Sequence, residues 1–414
     1  MPMMPPQTPA QAIERTVREE WGRILAALVK SLGDFQLAED CLQDAVARAL
    51  EVWGESGLPD APAAWLITTA RRKAIDRIRK DTRFAARRAE LSHLLDLAHQ
   101  DKAEVAQEVI PDKRLEMIFT CCHPALDQKT QVALTLRTLG GLSTDEIAAA
   151  FLDKPAAMAQ RLVRAKQKIS GARIPYEIPR QADLPERITA VLAVIYLIFN
   201  QGYSTLNAQS RSLTGEAIRL GRIMSHLLAD EPEVLGLLAL MLLHDARRHS
   251  RRSRDGELIP LETQNRRRWD RAKIAEGDAL LRKTLPKGAV GPYQLQAAIS
   301  GIHAGSPTWE DTDWAQIAAL YALLFRIQPT PVVQVNHAVA ISYAKTPEDG
   351  IALLAPLKDA PNFARYQPYH AARAALYARS GDLDHARQSY TKAILLTDDP
   401  ADRRFLERMR DMVS

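Results

Sequence analysis

Apolar residues recur at helical spacing along much of the chain, and the pattern is clearest in residues 13–53. Residues 13–32 predict one amphipathic helix, which the Gly33-Asp34 pair ends. Residues 33–53 predict a second helix, with an apolar stripe on one face and an acidic face opposite. The stripe consists of Leu42, Ala45, Val46, Ala49, Leu50 and Trp53, and the acidic face of Glu39, Asp40, Gln43 and Asp44. By spacing alone, an ordinary helix with a solvated polar face is the favoured interpretation of this stretch.

A third helix pattern, residues 65–80, differs from the first two in its charge. Gly and Pro residues within 54–62 predict a loop before it. Residues 71–90 hold nine Lys and Arg against three acidic residues, a local charge of +6, whereas the whole chain carries only +5. Such a cluster beside a packed helix indicates a surface that binds phosphate.

Residues 132–139 predict one helix, which Gly140-Gly141 ends, and residues 143–169 predict two more helices joined by a tight turn. Ser143 and Glu146 give the S-x-x-E pattern of a capping box, and Pro155 suits the first position of the following helix. In a helix-turn-helix the second helix enters the DNA major groove. The second helix here has no acidic residue and carries Gln160, Arg161, Arg164, Lys166 and Lys168. An ordinary basic helical hairpin has the same spacing and stays open as an alternative.

Composition favours helices and a reducing compartment. Aromatic residues make up only 6% of the 414 residues, and alternating β patterns between Asn-Gly turns are missing. The three cysteines include a vicinal pair, which favours a reduced cytoplasmic protein. The first eleven residues do not read as a signal peptide, and the apolar run 188–199 is too short to span a membrane. We therefore predict an all-α, cytoplasmic protein without a membrane partner.

The order of the acidic and basic helices resembles a known family. The motif A-E-D-x-x-Q-D at residues 38–44 and W-L-x-x-x-A-R at 65–71 resemble region two of bacterial sigma factors of the extracytoplasmic-function type. The resemblance implies that core RNA polymerase binds Glu39, Asp40, Gln43 and Asp44. It also implies that the upstream edge of the melted promoter element meets Trp65, Arg71, Arg72, Lys73, Arg77 and Arg79.

The helix-turn-helix resembles sigma region four. The run M-A-Q-R-L-V-R-A-K-Q-K-I at residues 158–169 is similar to the end of that region. This implies that the further-upstream promoter element is bound by Gln160, Arg161, Arg164, Lys166 and Lys168. The sequence I-F-T-C-C-H-P-A-L at 118–126 and the segment 253–270 resemble the corresponding segments of the sigma subgroup that has a long C-terminal extension.

Composition shifts and the resemblance together predict six segments. The acidic linker carries a net charge of −4. The resemblance implies that it occupies the path of the nascent RNA and template strand, and a solvated spacer stays open as the alternative. The segments are the region-two domain (10–90), the acidic linker (91–112), the region-four domain (113–174), a Pro-containing linker (175–185), a helical middle domain (186–290) and a tetratricopeptide-like domain (291–414).

The last of these domains contains a hairpin that fits a tetratricopeptide unit. Residues 370–397 place small and aromatic residues at the expected positions, and residues 315–357 form a diverged neighbour. Helical stacks of this kind usually bind protein, so we predict a protein partner there. Because 229 residues follow Pro185, we also predict that the extension packs against the sigma part and regulates it in cis.

Two other classes of function are weighed against the sigma factor. A helix-turn-helix regulator that never touches polymerase leaves the acidic face and the Trp-led helix without a role. A tetratricopeptide receptor, or an enzyme, leaves two basic helices unexplained. The Cys121-Cys122-His123 cluster lacks the second ligand pair that zinc needs and a third group for nucleophilic catalysis. We expect packing and turn roles for it, and we predict no catalytic residue, metal or cofactor.

Overall fold

The computed structural model describes residues 9–80, 112–151, 153–204, 208–253, 257–284, 288, 290–357 and 363–413. These residues form eighteen α-helices and no named β-strand, with one isolated bridge between Arg252 and Leu258. The prediction of an all-α protein is confirmed. Within the same ranges, no helix combines the length and apolar character that crossing a membrane requires. Most of the predicted acidic linker, residues 91–111, lies outside the described residues.

The chain divides into two compact units, Met1–Leu220 and Gly221–Ser414, with the division inside α9. The helices up to that point are α1 (Pro9–Leu32), α2 (Phe35–Ser56), α3 (Pro62–Lys80), α4 (Arg114–Cys121), α5 (Gln128–Thr138), α6 (Thr144–Ala150), α7 (Pro155–Gly171), α8 (Leu184–Ser204) and α9 (Ala208–Leu227).

Helices α1, α2 and α3 pack against one another around the apolar stripe of α2. Asp34 caps α2, since its carboxylate accepts a hydrogen bond of 2.9 Å from the backbone N–H of Leu37. Trp53 is buried, and its ring meets the Trp65 ring of α3 edge-to-face with centroids 5.4 Å apart. Leu50 departs from the predicted stripe, because it is 54% exposed. It lies at the margin of the stripe, where α1 and α3 do not cover it.

Helices α4 to α7 contain the predicted helix-turn-helix. The capping box is present: Glu146 N donates to Ser143 Oγ at 3.2 Å, and Ser143 N donates to Glu146 Oε2 at 2.8 Å. Pro155 begins α7, as its missing N–H and fixed φ allow. The apolar side of α7, formed by Met158, Leu162, Ala165 and Ile169, is buried. Its opposite side is left polar.

Helices α8 and α9 pack on the helix-turn-helix half of the first unit. Seven apolar side chains of α8 are buried, namely Ile188, Val191, Leu192, Val194, Ile195, Ile198 and Phe199. Tyr176, inside the predicted linker 175–185, is also held: its hydroxyl donates to Ala26 O at 3.0 Å, and its ring meets Phe35 edge-to-face. Helix contacts thus run across the predicted boundaries at 174 and 186, which remain predictions.

The second unit continues as helical pairs. Its helices are α10 (Pro232–Ala246), α11 (Arg271–Thr284), α12 (Pro292–Gly305), α13 (Trp314–Ile327), α14 (Pro331–Ala344), α15 (Pro347–Leu354), α16 (Gln367–Ser380), α17 (Leu383–Leu395) and α18 (Pro400–Asp411). Gly381 joins α16 to α17 at φ 85°, a left-handed conformation that favours glycine. Ala374, Ala386 and Ala393 are fully buried in this hairpin, so its helices approach closely. The tetratricopeptide assignment itself stays a prediction.

Candidate nucleic-acid interface

The exposed part of the acidic face on α2 is tied to α3 by one arginine. Arg77 Nη2 lies 2.7 Å from Asp44 Oδ2, and Arg77 Nη1 lies 3.6 Å from Asp40 Oδ2. Gln36 Nε2 also donates to Asp40 Oδ1 at 2.8 Å. The two aspartate side chains are each 38% exposed. A residue predicted for DNA, Arg77, is therefore paired with two residues predicted for polymerase.

Glu39, the first residue of the predicted acidic face, is not on the surface. It is 3% exposed and forms ion pairs with Arg137 of α5 and Lys166 of α7. Gln43 is exposed and donates weakly to Glu39 Oε1 at 3.5 Å. The structure thus separates the four predicted polymerase residues into three accessible ones and one that α5 and α7 cover.

The basic residues of helix α3 lie outside its packed side. Arg72 and Arg79 are exposed, whereas Arg71 and Lys73 are half-buried. Leu66, Ala70 and Ala74 form the packed side. Trp65 is half-buried against Trp53, so its ring already contributes to packing. Arg72 and Arg79 are the α3 residues best placed to meet a phosphate backbone.

Helix α7 presents most of its predicted DNA-binding residues together. Arg161, Arg164 and Lys168 line a surface cavity of about 260 Å³, with Asp127 and Thr130 on its other side. Gln160 is exposed one residue before Arg161. A concave surface with three cationic side chains is chemically suited to a phosphate group.

Arg161 is held by an acidic neighbour in the turn before α7. Its Nη1 lies 2.9 Å from Asp153 Oδ2. The pKa of the Asp153 carboxyl is lowered from its ordinary value, first by the hydrogen bond from the backbone N–H of Lys154 and then by the one from Arg161. The anionic form of Asp153 is thereby favoured, which fixes the direction of the guanidinium.

Lys166 does not share this cavity. Its side chain is 11% exposed and points to α2, where Nζ pairs with Glu39 and donates to Gln36 Oε1 at 3.0 Å. Arg137, the other partner of Glu39, was absent from the sequence prediction. Nothing local marks it, because its partner lies on another helix about a hundred residues earlier in the chain.

The vicinal cysteines are packed among threonines. Cys121 Sγ lies 3.2 Å from Thr138 Oγ1, and Cys122 Sγ lies 3.7 Å from Thr135 Oγ1. Burial raises the pKa of the Cys122 thiol to about 12, so it is neutral at physiological pH. Among the described residues, no three His, Cys, Asp or Glu side chains are grouped in a way that could hold a metal ion.

Comparison with known protein families assigns three parts of the chain. Residues 17–84 match sigma-70 region 2, and residues 116–169 match sigma-70 region 4. Residues 187–285 match a family of unknown function (DUF6596). An uncharacterized protein of Rhizobium meliloti (strain 1021) is 39% identical over 402 residues, which span 94% of this chain and 92% of the relative. No solved structure matches the chain.

The two sigma matches coincide with the two surfaces built above. Region 2 covers the acidic face of α2 and the basic face of α3, and region 4 covers the helix-turn-helix with its cationic cavity. The third match begins at α8 and extends beyond the sigma part. The chain belongs to the sigma-70 family, as a sigma factor of the extracytoplasmic-function type with a C-terminal extension.

Proposed function

We propose that this chain is an alternative sigma factor that brings core RNA polymerase to a specific class of promoters and starts transcription there. One observation carries the proposal: an acidic face, a basic helix and a cationic helix-turn-helix follow one another on the segments that match regions 2 and 4. A regulator independent of polymerase accounts only for the helix-turn-helix, and a tetratricopeptide receptor leaves both basic helices unexplained.

We assign polymerase binding to the face of α2 that carries Glu39, Asp40, Gln43 and Asp44. Asp40, Gln43 and Asp44 are accessible at once, and carboxylates at a protein interface give orientation and partner choice through charge. Glu39 joins them only after its two cationic partners leave.

DNA binding is assigned to two separate helices. On α3, Trp65, Arg71, Arg72, Lys73, Arg77 and Arg79 are assigned to the melted promoter element. On α7, Gln160, Arg161, Arg164, Lys166 and Lys168 are assigned to the element further upstream. Exposed Arg and Lys supply affinity through phosphate, whereas a side chain on the groove face supplies sequence preference through base edges. The polymerase performs the chemistry, so this chain needs no catalytic residue of its own. It acts in the cytoplasm, together with the polymerase.

We further propose that the C-terminal extension regulates the sigma part in cis. Three side chains of α8 and α9 donate to backbone carbonyls at the ends of region-four helices: Arg187 to Phe119 O at 2.6 Å, Gln201 to Ala150 O at 2.8 Å and Arg219 to Leu139 O at 2.6 Å. Carbonyls at helix C-termini have no partner within their own helix. The extension therefore supplies caps to α4, α5 and α6, which supports a dependence of region four on it. A protein partner on the hairpin α16–α17 would act through the same extension.

Run-off transcription tests the proposal. Purified core polymerase is incubated with templates selected from the host genome, with and without this chain. We expect promoter-specific transcripts only when the chain is present. Core polymerase that gives the same transcripts with and without the chain on every template, together with no binding between the two, would refute the sigma function.

The regulatory part is tested in the same assay, first with substitutions in the full-length chain and then with a truncated chain. Arg187→Met removes one cap from α4, and Arg180→Met removes an exposed arginine that pairs with Asp183. We expect altered transcript yield for Arg187→Met and wild-type yield for Arg180→Met. A chain ending at residue 179 should change the yield further. Equal yields from all of these proteins at matched concentration exclude regulation in cis.

A further inference from the structure

We infer that the free chain is closed by an internal ion-pair lock, in which region four covers Glu39, one of the four residues assigned to the polymerase-binding face of region two. The inference rests on the proposed function, since it concerns how the α2 face becomes available. The lock consists of Glu39, Arg137 and Lys166. Two of these three residues belong to surfaces that the chain must expose in order to act.

The lock is largely shielded from solvent, and its carboxylate is buried. The side chains of Glu39, Arg137 and Lys166 are 4%, 17% and 11% exposed. Both cations contact the same carboxylate, and Gln36 accepts a further hydrogen bond from Lys166. Arg137 also donates to Leu142 O at 3.0 Å, but Glu39 has its two cationic partners only while α5 and α7 remain on α2.

Close contacts between region two and region four continue from the lock along α1. A Cβ added to Gly22 of α1 would lie 2.9 Å from Leu139 O, so only glycine allows this approach. The Cβ position of Gly141, whose φ is +67°, lies 3.3 Å from the Trp21 ring. Tyr176 extends the contact, since its hydroxyl binds Ala26 O at 3.0 Å. Ion pairs, backbone approach and aromatic packing together define one continuous interface.

The closed arrangement makes the two binding surfaces depend on each other. Glu39 can contact polymerase only when Arg137 and Lys166 have moved away, and Lys166 can reach DNA only when it leaves Glu39. Withdrawal of one partner leaves a buried charge uncompensated, which is unfavourable unless the whole interface opens. Polymerase that binds the open form, and DNA that binds region four, therefore each favour binding of the other.

The lock is tested by binding of core polymerase without DNA, so that no DNA contact contributes to the result. Lys166→Met and Arg137→Met each remove one cation from Glu39. We expect each variant to bind core polymerase about 5-fold or more tightly than the wild type, the lower end of common allosteric couplings. Lys129→Met is the matched control, because Lys129 is an exposed cation on α5 outside the interface, and it should bind as the wild type does.

A second measurement reports the contact itself and does not depend on polymerase binding. A water-soluble carbodiimide joins a carboxylate to an amine only when the two are in contact, so the free chain should yield a Glu39–Lys166 cross-link detectable by mass spectrometry. Prior addition of polymerase should abolish it. If the cross-link forms but no variant binds polymerase, the proposed function fails while the closed contact stands. Unchanged affinity of Lys166→Met and Arg137→Met, or a free chain without the cross-link, overturns the lock.

Discussion

Replacing Asp40 and Asp44 together with alanine separates the stability of α2 from its role in polymerase binding. The aspartates pair with Arg77 at 3.6 and 2.7 Å, and all three side chains are 38% to 45% exposed. Ion pairs at this exposure contribute about 0–1 kcal/mol each. Alanine has a higher helix propensity than aspartate, which stabilises α2 by roughly 0.5 kcal/mol per position. The net loss in the free energy of unfolding should therefore stay below about 1 kcal/mol.

Polymerase affinity should fall much further than stability. Truncation of a central interface residue costs about 2 kcal/mol or more, which corresponds to about 30-fold in Kd. The loss of stability is measured by urea unfolding, and the loss of affinity by binding to core polymerase without DNA. Glu51→Ala serves as the control, because Glu51 is an exposed acid on the same helix that pairs with Arg48 of that helix. It should keep wild-type affinity.

Either measurement can refute the reasoning. Wild-type affinity in the Asp40→Ala, Asp44→Ala double variant would show that polymerase binds elsewhere on region two. A loss of stability above about 2 kcal/mol would show that the Arg77 pairs contribute far more than exposed ion pairs do.

Three further predictions concern DNA binding, the core and the cysteines. Arg161→Ala should cost about 1–3 kcal/mol in promoter binding and relax the sequence preference at one base pair. Lys168→Ala should weaken the binding of all DNA sequences alike and lower the slope of log affinity against log salt concentration by roughly one. Identical behaviour of the two variants in a binding assay over several salt concentrations would contradict the assignment. Trp53→Ala should lower the free energy of unfolding, measured by urea titration, by about 3–5 kcal/mol. Leu50→Ala should change it by no more than about 0.5 kcal/mol, because the side chain is exposed. Equal losses in the two variants would refute the burial argument. Cys122 should resist a maleimide at pH 8 until the chain is unfolded, because its pKa is raised to about 12; rapid labelling of the native chain, read by mass spectrometry, would show that the thiol is accessible.

Features set by neighbouring residues in the sequence were predictable. The 3.6-residue periodicity of residues 33–53 placed Leu42, Ala49 and Trp53 in the core, as observed. The Ser143–Glu146 capping box and the start of α7 at Pro155 also follow from local rules, since each depends on groups within one helical turn. The same locality explains the error at Leu50: periodicity gives the direction of a face but not how far a neighbouring helix covers it.

Features set by distant partners were not predictable. Glu39 looks solvent-facing in the pattern, and its burial depends on Arg137 and Lys166, which belong to helices formed much later in the chain. Tyr176 lies among prolines that predict a linker, yet it packs on Phe35 and Ala26. Residue type and spacing carry no information on which two polar faces will meet, so the lock could only be found in three dimensions.

The caps that α8 and α9 give to region four also affect synthesis of the chain. The three donors follow their acceptor carbonyls by 68, 51 and 80 residues. A ribosome adds about 5–20 residues per second, so the longest gap, 80 residues, takes about 4–16 s to synthesise. For each of the three caps, the end of the helix is made well before the side chain that caps it. A nascent chain therefore completes its DNA-binding half only as a late step, after the first helices of the extension have emerged and folded onto it.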